Sequence, residues 1–256
     1  HLQEFIQAWQ EKTTNGNAQI FNGLSEQQQQ QLLKSGYEVY QGKVRQCVID
    51  KSTVHMVHTD HLTAFDCSIA QIPFKGMLLA ITNDFWLKSL ASVLPVAEHK
   101  LVDPRIISME LLQPLKVEVI VRGHLAGSIL AAYEKGERQF CGITLPEDLK
   151  AFERLPTPII TPTTKAAVGE HDTNLTPDEV VEQKLMTSAQ WKQVAENALK
   201  VFRFGRDWLA QKGWILVDSK YEFGVSQNGE IKLMDEVHTP DSSRFWKLES
   251  YPSRIA

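Results

Sequence analysis

The spacing of hydrophobic and polar residues changes several times along the chain, and each change predicts a different element. Residues 1–35 have helical features, including the capping-box spacing of Ser25 and Gln28. From Tyr37 onward, β-branched runs on both sides of Asp50 predict two strands that are joined by a turn. A helical segment is therefore expected to precede a sheet.

The middle of the chain combines helix and strand patterns. Residues 78–94 predict a helix, and the apolar run from Lys116 to Val121 predicts a buried strand. Residues 128–136 predict a short helix that ends at Gly136. Residues 156–176 are rich in proline and threonine and have no period, so they predict a long loop of the kind that often carries function.

The last third of the chain predicts helix as far as Gly213, in one or two pieces, followed by a β-hairpin. The helix starts at residues 176–179, which supply an N-cap, a proline at the first helical position and an acidic third residue. Two strand patterns then flank Asn228-Gly229, a dipeptide typical of two-residue hairpin turns. The whole order predicts an α+β fold of two lobes, with antiparallel sheets and flanking helices. The predicted divisions are a helical extension (1–35), a β-rich lobe (36–114) and an α+β lobe (115–256).

Composition narrows the class of protein. The 256 residues are 43% hydrophobic and 23% charged, which is typical of a globular chain and excludes a disordered or fibrous one. Lys and Arg number 27 against 31 Asp and Glu, and this acidic balance argues against a nucleic-acid partner. No run reaches the roughly 18 apolar residues of a membrane span, so no membrane partner is expected. The three cysteines are scattered, which predicts reduced thiols in a cytoplasmic protein.

Acidic side chains meet in the predicted hairpin. If its loop contains only Asn228-Gly229, Glu222 lies directly opposite Asp235, with Cβ atoms about 5 Å apart. Two carboxylates tolerate this distance when one is protonated, when solvent screens them or when a divalent cation such as Mg²⁺ lies between them. Asp218 and Lys220 share the strand face of Glu222. We expect a functional site here, against the alternative of a solvated face with ordinary mixed charges.

Two segments carry candidate phosphate ligands. Lys43 and Arg45 are two residues apart and would share one side of a strand, while Gly42 leaves room for a close phosphate. Ser128 is a candidate N-cap of the short helix, and Arg122 would supply a bidentate fork beside it. The alternatives are a solvated basic strand for the first segment and simple helix capping for the second.

Two more cationic side chains are candidates for the same predicted site. Lys165 lies in the predicted loop, and Arg244 follows the hairpin closely enough to return toward it. His55 and His58 would point to opposite sides of a strand, so a zinc site is not expected. A site for a polyanion and Mg²⁺ is therefore predicted from these side chains: Lys43, Arg45, Arg122, Lys165, Lys220 and Arg244 with Asp218, Glu222 and Asp235.

Several segments resemble the SAICAR synthetase family of purine biosynthesis. The sequence LVDSKYEFG at 216–224 matches one family signature at every position. Glu118, Arg122 and residues 126–128 match a second signature, which differs at residues 116–117, where the family usually has proline followed by leucine or methionine. Shorter similar segments are GKVR at 42–45, TAFD at 63–66 and DEVHTPDSSR at 235–244.

The resemblance implies an ATP-dependent ligase with a fold related to kinase and ATP-grasp nucleotide-binding architectures. It would join the carboxylate of carboxyaminoimidazole ribonucleotide (CAIR) to the amine of L-aspartate through an acyl phosphate, with release of ADP and phosphate. The implied Mg²⁺ ligands are Glu222 and Asp235, and the implied ATP contacts are Gly42, Lys43, Arg45 and Lys165. The implied substrate contacts are Arg122, Ser128, Asp218, Lys220 and Arg244, with Thr63 and Asp66 near the reacting groups or aspartate. Lys165, Asp218 and Lys220 are the implied catalytic residues.

Two other classes of function stay open at this point. A kinase-like small-molecule phosphotransferase would also need a basic strand, two Mg²⁺ carboxylates and two lobes, although no kinase catalytic loop is evident. A nucleotide-binding module without catalysis would need the same phosphate ligands. The expected partners are the small molecules ATP, CAIR and L-aspartate, and a homo-oligomer is an open expectation.

Overall fold

The computed structural model describes residues 20–42, 44–64, 67–165 and 172–255. The helices in these ranges are α1 (Glu26–Lys34), α2 (Lys75–Leu90), α3 (Ser128–Glu134), α4 (Pro177–Glu182), α5 (Ser188–Ala210) and α6 (Pro252–Ile255), with a 3₁₀ helix at Leu248–Ser250. The first seven strands are β1 (Glu38–Gln41), β2 (Arg45–Ile49), β3 (Thr53–His58), β4 (His61–Ala64), β5 (Cys67–Gln71), β6 (His99–Asp103) and β7 (Ile106–Glu110). The remaining strands are β8 (Gln113–Pro114), β9 (Val117–His124), β10 (Gln139–Phe140), β11 (Ile143–Thr144), β12 (Arg154–Thr164), β13 (Trp214–Val225), β14 (Ile231–Met234) and β15 (Ser243–Lys247).

The described residues fall into two compact units. The first runs to Lys88 and resumes at Ala97–Leu111, and the second contains Ser89–Val96 and the chain from Leu112 onward. Both units combine helices with antiparallel sheets, as the α+β prediction requires. The predicted division into 1–35, 36–114 and 115–256 stays a prediction. Within the described ranges, none of the helices has the length and apolar character that a membrane crossing requires.

The first unit is built on a five-stranded antiparallel sheet in the order β1-β2-β3-β7-β6. Helix α1 precedes it, and Ser25 and Gln28 form the predicted capping box. The expectation of one strand through residues 42–45 is wrong, because the chain reverses between β1 and β2. The backbone N–H of Gly42 donates to the Arg45 carbonyl oxygen over 2.9 Å, which closes this reversal.

The second unit is organised around β13, a twelve-residue strand in a six-stranded sheet. Its first half, residues 214–219, pairs with β15, and its middle, residues 218–221, pairs with β9. Its second half pairs with β14 and β8. Because β13 is paired with four other strands along its length, side chains from several strands lie beside its own.

The first part of the proline-rich segment that we expected to be a loop, residues 156–164, is strand. Residues Arg154–Thr164 form β12, which pairs with β9 at an edge of the sheet, and Pro162 lies opposite Val119. An edge strand tolerates proline because it has one side on which no N–H group is needed for pairing. Composition alone therefore misled the prediction here.

The hairpin exists, but its predicted register is wrong. Glu222 lies opposite Met234, and the pairing ends with Val225 opposite Ile231. Ser226 causes the difference: its backbone N–H donates to the Glu230 carbonyl over 2.9 Å, and its carbonyl accepts from Gly229 over 2.9 Å. The loop is thus longer than the two residues expected, and Gly229 adopts the left-handed conformation with φ of 85°.

Two helix starts were predicted from capping residues, with different outcomes. Thr176 and Glu179 form the expected capping box at α4, with Pro177 at the first position. The N-cap of α3 is Gly127, so the expectation that Ser128 caps this helix is wrong. Gly127 has a positive φ of 65°, which glycine adopts without strain, and Ser128 is released for another partner.

Candidate active site

Alternation along β9 and β13 separates an apolar face from a charged one. Val119 and Val121 of β9 and Tyr221 of β13 are buried on the apolar face, against which α5 packs. A Cβ atom at Gly123, on this same face, would lie 3.0 Å from the Phe202 ring of α5, so the helix and sheet approach closely. The other face carries the even-numbered residues Glu118 and Arg122 of β9 and Asp218, Lys220 and Glu222 of β13.

One end of the charged face is an arginine cluster, formed by Arg122, Asp218 and Arg244 with Ser128. Asp218 has Arg122 as its cross-strand neighbour in β9 and Arg244 as its neighbour in β15. Its carboxylate accepts a hydrogen bond from Arg244, and Arg122 Nη1 lies 3.7 Å from Asp218 Oδ2. Arg122 also donates to Ser128 Oγ over 3.0 Å. The structure thus brings together four side chains that the sequence predicted to share one site.

Arg122 and Arg244 differ in how firmly they are held. Arg122 Nε donates to Thr161 Oγ1 over 2.9 Å, so each part of its buried guanidinium faces a polar partner. Arg244 has a half-exposed side chain that lies against Gly127, where a Cβ would come within 2.6 Å of Nη2. The cluster therefore combines a fixed cation with an exposed one.

The adjoining end is a carboxylate–lysine cluster, formed by Glu118, Lys165, Lys220, Glu222 and Asp235. Lys220 Nζ lies 2.7 Å from Glu118 Oε1 and 3.6 Å from Glu222 Oε1. Lys165 Nζ lies 2.5 Å from Glu222 Oε2. Glu222 and Asp235 interact directly, although they are not cross-strand partners.

The charges of this cluster act strongly on one another. Burial, followed by the neighbouring Asp235 carboxylate, raises the pKa of Glu222 to about 7, although Lys220 and Lys165 oppose the shift. Burial alone would lower the pKa of Lys220, but Glu222 and Glu118 raise it above its ordinary value. The pKa of Lys165 is also raised, since Glu222 outweighs the effect of burial. Both lysines are therefore cationic at neutral pH.

The donor chemistry of Glu222 and Asp235 fits Mg²⁺. They are buried carboxylates with hard oxygen donors, and after burial the neighbouring Asp235 carboxylate is the next cause of the raised pKa of Glu222. No group of three or more His, Cys, Asp or Glu side chains in the described ranges could hold a metal ion alone. Mg²⁺ in proteins is commonly bound by one or two carboxylates, with phosphate and water oxygens completing the shell.

The other predicted site residues belong to the first unit. Gly42 lies in the reversal between β1 and β2, Arg45 begins β2 and Thr63 lies in β4. The segment that follows β3 holds this reversal in place, because Thr59 Oγ1 donates to the Val44 carbonyl oxygen over 2.6 Å. Lys43 and Asp66 lie outside the described residues.

Sequence reasoning gave no role to two residues of the charged face. Glu118 is the hydrogen-bond partner of Lys220, and its alternation with Arg122 on an apolar strand was a signal that could have found it. Thr161 holds Arg122, but it lies in the segment that was predicted as a loop. No period in that segment indicated which threonine faces the site.

Several known proteins are similar to this chain in sequence and in fold. A family model described as SAICAR synthetase matches residues 38–255. A phosphoribosylaminoimidazole-succinocarboxamide synthase of Histophilus somni is 42% identical over 229 residues, which cover 84% of this chain and 79% of that protein. A SAICAR synthase structure from Saccharomyces cerevisiae, complexed with SAICAR, has a TM-score of 0.77 at 33% identity, covering 86% of this chain and 79% of that one.

A second solved structure extends the likeness to a nucleotide complex. It is a type-2 SAICAR synthetase bound to ADP, with a TM-score of 0.72 at 31% identity, and the match covers 84% of this chain and 86% of that one. The resemblance drawn from the sequence motifs and the expected fold are both confirmed. The chain belongs to the SAICAR synthetase family, the ADP-forming ligases of purine biosynthesis.

Proposed function

We propose that the chain joins the carboxylate of CAIR to the amine of L-aspartate, with conversion of ATP to ADP and phosphate. The observation that carries the proposal is the adjacency of two clusters of opposite net charge on one face of the sheet. A phosphorylated substrate with a reacting carboxylate needs a cationic end, and a metal–nucleotide complex needs an anionic one. The face provides both.

The proposed chemistry passes through an acyl phosphate. A carboxylate oxygen of CAIR attacks the γ-phosphorus of ATP, and the bond to the ADP oxygen breaks. The aspartate amine then attacks the activated carbonyl carbon, loses a proton and displaces phosphate, which keeps the oxygen that came from CAIR. This route relies on positioning and on neutralising phosphoryl charge, and it requires no serine or cysteine nucleophile.

The arginine cluster is the proposed site for CAIR. Arg122 would bind the ribose phosphate together with Ser128, because its fork is already aligned with the serine hydroxyl. Arg244 would add a second cation from an exposed position. The Asp218 carboxylate contacts both arginines and so reduces the repulsion between their positive charges. It would also orient the substrate between them.

The carboxylate–lysine cluster is the proposed site of phosphoryl transfer. Glu222 and Asp235 would hold Mg²⁺, which when bound neutralises charge on the transferring phosphoryl group. Lys220 and Lys165 are cationic and would stabilise the same charge from the protein side. Lys165 would shift from Glu222 to the ATP phosphates, which its exposed side chain permits.

We assign the remaining predicted residues to the nucleotide and to aspartate. Gly42, Lys43 and Arg45 would contact the ATP phosphates, with the glycine allowing close approach of the backbone. Thr63 and Asp66 would lie near the reacting groups or aspartate. Their roles rest on the family motif and stay proposals.

A substrate-omission assay tests the proposed reaction. We expect ADP release only when ATP, Mg²⁺, CAIR and L-aspartate are all present, with stoichiometric free phosphate. CAIR labelled with ¹⁸O in its carboxylate should transfer one label to that phosphate, because the acyl-phosphate oxygen leaves with phosphorus. Phosphate that stays on an acceptor would instead indicate a kinase-like phosphotransferase. Binding of ATP without turnover would indicate a nucleotide-binding module.

Two properties of the working protein stay predictions. A cytoplasmic location follows from the cysteine usage, and cell fractionation with an antibody against the chain would measure it. A homo-oligomer is an expectation about assembly, for which sedimentation equilibrium gives the mass in solution. Neither property changes the proposed roles of the charged side chains.

A further inference from the structure

The segment that carries Asp235 has an unusual backbone. Asp235 and His238 both have positive φ angles, of 66° and 50°, although neither is glycine. Left-handed backbone is uncommon for such residues and persists only when the surrounding structure enforces it. Two such residues within four positions indicate that other parts of the second unit hold this segment in place.

The His238 side chain connects this segment to the rest of the second unit. It is 1% exposed, and its Nε2 lies 2.7 Å from the Tyr221 hydroxyl in a hydrogen bond. The two rings also meet edge to face, with centroids 5.5 Å apart. Tyr221 is in the middle of β13, one residue before Glu222, but it points to the opposite, apolar face of the sheet.

A glycine of α5 makes room for the His238 ring. A Cβ atom at Gly205 would lie 2.6 Å from His238 Nδ1 and 2.8 Å from Nε2, which no real side chain tolerates. Gly205 is in the buried interior of α5, where glycine weakens the helix relative to alanine. The close approach of the imidazole supplies a packing reason for this helix-weakening residue.

The contact is neutral at working pH. Burial lowers the pKa of His238 to about 3 and raises that of Tyr221 well above its ordinary value. The imidazole and the phenol therefore bind each other without placing a charge beneath the active face. Their contribution to the site is geometric.

We propose that Gly205, Tyr221 and His238 position the Asp235 carboxylate beside Glu222 by fixing the segment 235–238, in which Asp235 and His238 have left-handed backbone. The three residues touch no substrate and are positioning residues. Tyr221 and Glu222 are neighbours in β13, so the same strand carries one carboxylate and holds the segment that carries the other. This inference rests on the proposed role of Asp235 as a metal ligand.

The test measures how much Mg²⁺ strengthens ADP binding, by calorimetry with and without the metal. In Tyr221→Phe, which loses the hydroxyl's hydrogen bonds to His238 and to the Ser219 side chain, we expect this enhancement to fall about tenfold while metal-free ADP affinity stays unchanged. Gly205→Ala, which displaces the imidazole, should cause at least as large a loss. A purely structural role would lower the unfolding temperature without changing the enhancement.

Tyr133→Phe is the matched control. Its buried phenol also donates a hydrogen bond, to the Pro146 carbonyl oxygen over 2.7 Å, but in a different part of the second unit. We expect a comparable loss of thermal stability with no change in the Mg²⁺ enhancement. Equal enhancement in Tyr221→Phe, Gly205→Ala and the unmodified protein would overturn the inference.

Asp235→Asn separates this inference from the function on which it rests. If Asp235→Asn keeps the full Mg²⁺ enhancement, the metal assignment itself is wrong and the inference fails with it. If Asp235→Asn loses the enhancement while Tyr221→Phe and Gly205→Ala keep it, only the positioning role is wrong. Loss in all three variants, and not in Tyr133→Phe, supports both.

Discussion

The arginine cluster and the carboxylate–lysine cluster occupy one sheet face but have opposite charge balances. Arg122 and Arg244 surround a single carboxylate, Asp218, whereas two lysines face three carboxylates in the neighbouring cluster. Asp218 and Lys220 are two residues apart in β13, so the change of sign occurs over about 7 Å. A regular strand can thus place an anion-binding and a cation-binding site side by side.

Both clusters combine buried groups with one exposed cation. Arg122 and Glu222 are buried and held by several partners, while the side chains of Arg244 and Lys165 are 50% and 44% exposed. Buried groups in a low-dielectric environment keep a fixed geometry, and exposed ones can exchange a carboxylate partner for a ligand. Each cluster therefore contains buried side chains with a fixed geometry and one exposed cation that can move to a ligand.

The largest effect is expected when one negative charge is removed from the carboxylate–lysine cluster. We expect Asp235→Asn to reduce turnover at limiting Mg²⁺ by about 100-fold, because a neutral amide replaces one of the two proposed carboxylate ligands and the net charge of the cluster becomes zero. The free energy of unfolding should not fall, since asparagine tolerates a positive φ and the repulsion with Glu222 ends. Steady-state rates across a Mg²⁺ series, with urea unfolding, measure both effects.

A carboxylate on the surface of the same unit provides the control for Asp235→Asn. Asp178→Asn removes an exposed acid from the first turn of α4 and should leave the Mg²⁺ dependence unchanged. Unmodified turnover of Asp235→Asn at limiting Mg²⁺ would contradict the assignment of this residue as a metal ligand.

A change in the arginine cluster should affect a different substrate. Arg122→Lys keeps the positive charge but loses the fork that reaches Thr161 and Ser128, so we expect the KM for CAIR to rise about 30-fold. The Mg²⁺ dependence should stay the same, because Asp235 and Glu222 are untouched. Initial rates at varied CAIR measure the effect, and Arg138→Lys, at an exposed ion pair with Glu147, is the control. An unchanged KM would place the phosphate elsewhere.

Local sequence signals predicted those parts of the molecule that local interactions determine. The capping boxes at Ser25 and Thr176 form as expected, because each needs only residues three positions apart. Alternation along 218–222 also correctly grouped Asp218, Lys220 and Glu222 on one strand face. The alternation of side chains along a strand and the spacing of capping residues were sufficient to predict these features.

Features that depend on distant contacts could not be predicted in this way. The strand at Arg154–Thr164 forms because β9 offers a partner at the sheet edge, which proline content does not reveal. Glu222 and Asp235 do interact, but the expected reason was wrong: Ser226 shifts the register, so the two are not cross-strand partners, and Asp235 lies just beyond β14 with a positive φ. Nothing near Asp235 in sequence indicates that Gly205 and Tyr221 hold His238.

The raised pKa of Glu222 predicts a pH effect on stability in the metal-free protein. Burial, and then Asp235, raises it from 4.5 to about 7, so between these pH values the folded state keeps a proton that the unfolded state releases. The free energy of unfolding therefore falls as pH rises through this window, by up to about 3 kcal/mol. His124 and His238, with pKa values lowered to about 4 and about 3 by burial, act in the opposite direction.

Asp235→Asn isolates the part of this pH effect that comes from the paired carboxylates. The two histidines are unchanged in this variant, so the difference between the variant and the unmodified protein cancels their contribution. We expect the stability gained on mutation to be about 1 kcal/mol larger at pH 7.5 than at pH 5 in urea unfolding with EDTA. An equal gain at both pH values would show that Asp235 does not raise the pKa of Glu222.

The smallest effect is expected at Thr161, which holds the guanidinium of Arg122 in the arginine cluster. Thr161→Val removes the hydroxyl that accepts from Arg122 Nε over 2.9 Å, so we expect about a fivefold rise in the KM for CAIR with little change in kcat. Thr161→Ser keeps the hydroxyl and should restore the KM. In an Arg122→Lys background, Thr161→Val should add nothing, because lysine has no Nε–H to orient. A further rise in that double variant would mean that Thr161 acts on the substrate by a route other than Arg122.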